Sequence, residues 1–133
     1  MQFLIVVIAA LAAYAFGAVW YMSMSKAWAE AAGLELDDRG RPKGAGGATP
    51  FVVGFVAELL VAGMMRHIFV EAHLNTVVLG VMGGGGIGLF LITPWVAMNY
   101  AFAGRPYRLT LIDGVNSVVG CTLMGIVFGL FAV

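Results

Sequence analysis

The chain has 133 residues, 62% hydrophobic and 11% charged, with a formal net charge of +0 at pH 7 and one cysteine. A water-soluble domain carries about 25% charged residues, so the composition excludes one. The neutral balance gives no attraction to nucleic acid, the lone Cys121 excludes an internal disulfide, and the length suits a single domain, residues 1–133.

Apolar stretches at 3–24, 50–70, 76–100 and 111–133 are each long enough to cross a hydrocarbon core, which takes about 20 helical residues. They predict an all-α fold: a four-helix transmembrane bundle running up-down-up-down. The first stretch lacks a basic leader at Met1-Gln2 and is too long for a signal-peptide core, so it reads as the first transmembrane helix. Lys26–Ala32 then offers helix formers up to Gly33, a C-cap residue. This predicts a short interfacial helix with Trp28 on the membrane surface. Asp37–Lys43 and Gly44-Ala45-Gly46-Gly47 have the composition of a mobile loop. Thr49 is the expected N-cap of the second span, with Pro50 at its first helical position. The second connection reads as Arg66–Asn75. Along the third span Gly80, Gly84 and Gly88 recur every four residues, a side-chain-free stripe for close packing inside the monomer or against a second copy. The run Gly83–Gly86 also allows a local bend or a ligand's approach. Lying in an apolar helix and not after a strand, it is no phosphate cradle. Gly104-Arg105-Pro106 marks the third turn, and Thr110 and Asp113 have capping-box spacing before the last span.

Basic residues orient the bundle. Lys26, Arg39, Arg41 and Lys43 lie in the first connection, Arg105 and Arg108 in the third, and only Arg66 in the second. Cytoplasmic loops carry the excess of Lys and Arg, so connections one and three are expected inside and both termini outside.

Few polar groups enter the apolar layer. Glu58 follows Pro50 by eight residues, about 12 Å along a helix and so near the middle of a core about 30 Å thick. An ionised carboxylate facing lipid there is costly. Glu58 is therefore expected to face the bundle interior, either protonated or paired with a donor. Counting depth from the cytoplasmic face brings Asn116, Ser117, Asn99, Trp20 and Tyr21 to its level, with Lys26, Trp28, Arg105, Arg108 and Asp113 at the mouth. This is either a hydrogen-bond network that fixes helix register or a cytoplasm-facing pocket. In the first case Trp20, Tyr21, Trp95 and Tyr100 form an interfacial belt and Asp113 is a cap. At the other face, His67, Glu71 and His73 follow no standard metal-ligand spacing, so no metal is expected.

Several segments resemble a bacterial membrane family, domain of unknown function 1761. They are Gly17-Ala18-Val19-Trp20-Tyr21, Lys26-Ala27-Trp28 with Gly33-Leu34, Asn99-Tyr100-Ala101-Phe102-Ala103-Gly104-Arg105-Pro106 and Leu111-Ile112-Asp113, in order over nearly the whole chain. The resemblance implies a four-helix integral membrane fold and no particular reaction. The chain departs from the family pattern at Met22-Ser23, where Ser-Pro is common, and at Asn116, near a frequent histidine.

These readings converge on a multi-pass protein of a bacterial inner (plasma) membrane. No nucleophile–base set or nucleotide fingerprint is present, and no cofactor is expected. The leading expectation is a non-enzymatic oligomeric or accessory component with a polar site around Glu58, whose cytoplasmic face, Lys26–Trp28 and Arg105–Arg108, contacts a partner or anionic lipid. Its partners would be the lipid bilayer and a second copy or another membrane protein. A small proton- or cation-coupled transporter or channel comes second, and an enzyme on a lipid-soluble substrate third.

Overall fold

The computed structural model describes residues 1–44 and 47–133. Ala45 and Gly46, part of the expected loop, lie outside the described residues. Among the described residues six α-helices follow in order: α1 (Gln2–Ser23), α2 (Ser25–Ala32), α3 (Thr49–Glu71), α4 (Val77–Ile87), α5 (Thr93–Phe102) and α6 (Tyr107–Leu130). A π-helical turn, Gly88–Ile92, joins α4 to α5. These three run on as one span, Val77–Phe102, so among the described residues four helices are long and apolar enough to cross a membrane. Their outer faces expose Phe3, Leu60, Met82 and Phe90. Such a surface is stable against hydrocarbon and not against water.

The π turn has a local cause. Pro94 has no N–H and its ring crowds the preceding turn, which breaks the regular ladder. The widened turn lets the Thr93 N–H reach back to the Gly88 carbonyl. The Thr93 hydroxyl donates to the same oxygen at 2.7 Å.

α6 is the central helix. It packs along α1 on one side and along the whole third span on the other, whereas α3 leans chiefly on α1 and meets α6 and α4 lightly. The glycine stripe makes the α4–α6 seam. Gly80, Gly84 and Gly88 are buried, and a Cβ on Gly88 would lie 2.5 Å from Val118 Cα. A Cβ on Gly80 or Gly84 would run into the carbonyls of Gly125 and Cys121. Gly129 repeats the arrangement from the α6 side, where a Cβ would meet the Thr76 carbonyl oxygen at 2.5 Å. With little hydrophobic drive between helices in lipid, this backbone proximity is what van der Waals attraction requires. Below the seam, Phe69 and Phe128 pack edge-to-face with centroids 5.6 Å apart, flanked by the buried Met65 and Met124.

The element boundaries need four corrections. Thr49 is the first residue of α3, and Ala48 takes the N-cap position without a side-chain bond. α6 begins at Tyr107 after Pro106, so Thr110 and Asp113 lie inside the helix and form no capping box. α3 continues to Glu71, which places Arg66 and His67 in the helix and shortens the second connection to 72–76. Thr76 caps α4 by accepting from Leu79 N at 3.3 Å. Gly33 does end α2, in the left-handed region at φ 70°.

The first connection carries order of its own. Leu36 and Pro42 form an antiparallel bridge, and the Asp37 carboxylate accepts from the backbone N–H groups of Arg39 and Arg41, each at 2.9 Å. The Arg41 N–H first, and then the Arg39 N–H and the Arg41 guanidinium, hold that carboxyl below its ordinary range.

Candidate functional site

The polar side chains that come together do so around Asp113. Its Oδ1 accepts from the Tyr21 hydroxyl at 2.6 Å and from Trp28 Nε1 at 3.2 Å. Its Oδ2 accepts from the Tyr100 hydroxyl at 2.6 Å. The three donors come from α1, α2 and α5, so one carboxyl group on α6 ties four elements together. Both phenol contacts have the length of charge-assisted O–H···O⁻ bonds, about 2.5–2.7 Å. A carboxylate offers only acceptor sites, which suits a ring of donors.

Local sequence builds this cluster. Met24 is at once the C-cap of α1 and the N-cap of α2, so the chain turns sharply and swings Trp28 back over the bundle end. There the Trp28 and Tyr21 rings meet edge-on, 6.0 Å between centroids. Ala29 and Ala31 are buried beneath α2. Arg105 Nη1 donates to the Ala32 carbonyl at 3.1 Å, a cation at a helix C-terminus as the helix dipole favours. Two further bonds reach α6 backbone: Trp20 Nε1 to Ile112 O at 3.0 Å, and Ser117 Oγ to Asp113 O at 3.0 Å.

The expected site residues therefore separate. Tyr21 and Trp28 converge on Asp113, with Trp20 and Ser117 bonded beside it. Asp113 is the centre of the cluster, neither its mouth nor a helix cap. Trp28 points into the bundle and not along a membrane surface. Asn99 is exposed and belongs to no cluster. Trp95 is 67% exposed, as a membrane-belt residue would be. Lys26 and Arg108 are exposed; the ion pairs among the described residues join Arg41 to Asp37 and Lys43 to Glu35. Asn116 sits in the α1–α6 seam, its Oδ1 buried without a partner and 3.2 Å from where a Gly17 Cβ would be.

Glu58 stands apart from Asp113. At 100° per residue it shares its side of α3 with Ala62, Met65 and Phe69, all buried. Yet it is only half-buried, and among the described residues no hydrogen bond or ion pair involves it. The displacement has a cause. The Tyr14 hydroxyl donates to the Phe51 carbonyl at 3.0 Å, so α3 begins beside the middle of α1 and not beside its end. Depths counted from a common plane fail for that reason.

Tyr100, by sequence a belt aromatic, is a donor to the Asp113 carboxyl. The usable signal was an acid in a span with several phenol and indole donors near the same end. Spacing along the chain does not pair them, because each donor sits on a different helix.

Four apolar spans around an internally bonded polar cluster define a multi-pass helical membrane protein. Residues 4–129 match the family described as Protein of unknown function (DUF1761). That match takes in nearly all of the chain, and the protein belongs to this family. No curated protein and no solved structure matches it.

Proposed function

We propose that the chain is a non-enzymatic component of a bacterial inner membrane, working as a homo-oligomer or as an accessory subunit of another membrane protein. One observation carries this reading. Glu58 lies on the inward side of α3, half-buried, and among the described residues no donor reaches it, on the span that packs least against the rest. A lone carboxyl in hydrocarbon costs several kcal/mol by insertion scales of about +2.5–3.5 for such residues. A donor from a second chain removes that cost. The Asp113 cluster supports the same reading, since its hydroxyls and carboxyl are engaged with one another and leave no free acid–base pair. In this proposal connections one and three face the cytoplasm and both termini lie outside. With Arg66 inside α3, the second connection has no Lys or Arg, which sharpens the positive-inside bias.

The test is the assembly state of the purified chain in lipid nanodiscs. Wild type should run as an assembly, Glu58→Gln should keep it, because an amide still donates and accepts, and Glu58→Leu should dissociate it. A wild-type monomer with no copurifying partner overturns the proposal. The half-exposure of Glu58 favours one other reading, a proton- or cation-coupled transporter. Proton flux in proteoliposomes that Glu58→Gln abolishes would establish that one instead.

A further inference from the structure

Where the third span packs on α6, a shallow groove is left at the lipid-facing side of their contact. The groove, of about 280 Å³, opens between the π turn and α6, walled by Leu89, Thr93, Leu111, Val115, Val118 and Val119, with Gly114 as its floor. Its apolar character is built in. The Thr93 hydroxyl is turned back to the Gly88 carbonyl, leaving its Cγ2 methyl toward α6, 2.9 Å from where a Gly114 Cβ would sit. A side chain at 114 would therefore fill the floor. Leu89 and Leu111 are exposed, so the groove opens sideways, toward the hydrocarbon around a membrane span. From Thr110 to Val119 it follows α6 for about 13 Å.

Two residues of a different kind stand at its end. Tyr107 and Arg108 form the first turn of α6. At 100° per residue, Tyr107 is in phase with Leu111, Gly114 and Val118, and Arg108 with Val115 and Val119. Both are exposed, and among the described residues neither side chain makes a hydrogen bond or an ion pair. The neighbouring Arg105 is occupied with the Ala32 carbonyl. An apolar slot thus points along α6 toward an exposed guanidinium and a phenol at the first turn of the last apolar span.

We propose that this groove binds one anionic phospholipid, an acyl chain lying between the π turn and α6 and the phosphate held by Arg108 and Tyr107. Charge complementarity selects this occupant. A guanidinium presents a planar fork that fits phosphate oxygens, and a basic residue near an anionic membrane surface is worth about 1 kcal/mol. The inference needs the chain to be in a bilayer. It does not depend on Glu58 or on assembly, so the two proposals fail independently.

Native mass spectrometry of the full chain, released from nanodiscs of equal phosphatidylglycerol and phosphatidylcholine with identical acyl chains, tests it. Wild type should retain one phosphatidylglycerol per chain in preference to phosphatidylcholine. Arg108→Gln should lower that preference about five-fold, and Lys26→Gln should leave it unchanged. Val115→Trp, which fills the groove from an exposed position, should remove retention of both lipids; Leu111→Trp is the second filling variant if the first does not fold. Equal retention of the two lipids by wild type overturns the proposal. So does a Lys26→Gln loss as large as that of Arg108→Gln, or lipid retention by folded groove-filling variants.

Discussion

Asp113 shows how much one part-buried side chain can organise inside a helical bundle. Three donors from three helices reach it, and any group left unpaired at such a site pays its own desolvation. Side-chain hydrogen bonds between membrane helices average about 0.6 kcal/mol and reach about 1.7. Tyr21→Phe and Tyr100→Phe should each destabilise within that range. Asp113→Asn should cost more, about 2–3 kcal/mol, because its NH₂ donor must face a phenol that also donates. The double Tyr21→Phe/Tyr100→Phe variant should depart from additivity, since both donors share one carboxyl. Unfolding titrations in mixed micelles measure all four. Equal losses for Asp113→Asn and either Tyr→Phe would mean the carboxyl is not the organising acceptor. Little of this was legible in the sequence. A carboxylate at the third position of an apolar run looks the same whether it caps a helix or gathers donors from elsewhere in the bundle.

At the scale of the elements, the third span and α6 are joined by backbone proximity. The stripe Gly80, Gly84 and Gly88 was readable because a four-residue repeat keeps residues on one helix face. Its counterpart on α6, Cys121 with Gly125 and Gly129, has the same four-residue spacing, but one cysteine and two glycines stand out less than three glycines in register. Gly84→Ala should separate the helices and cost about 1–3 kcal/mol, as overpacking does. Its Cβ meets the Cys121 backbone, which cannot rotate away as a side chain could. Gly86→Ala is the internal control. Nothing lies within 4 Å of its Cβ position, and alanine is favoured over glycine in a helix by about 1 kcal/mol. It should be neutral or stabilising by thermal unfolding in detergent. If both substitutions destabilise alike, the glycines matter for something other than this seam.

For the whole molecule, the four spans place connections one and three together, with Arg105 bonded to the end of α2 and Trp28 to α6. The proposed orientation puts that end in the cytoplasm. A reporter active only in the cytoplasm should then be silent at the C-terminus and active when inserted after Gly40, and the reverse pattern would invert the bundle. The number of spans, their apolar character, the family and the glycine stripe were all set by the sequence. Each follows from a local quantity: the length of an apolar run, a periodicity, an ordered set of short motifs. Which polar groups meet was decided only by the tertiary structure. α3 begins beside Tyr14, α2 folds back over the bundle, and Pro94 widens a turn above the groove. Those shifts slide one helix against another by distances that hydropathy does not encode. They separate Glu58 from the cluster counted around it and make Asp113 its centre.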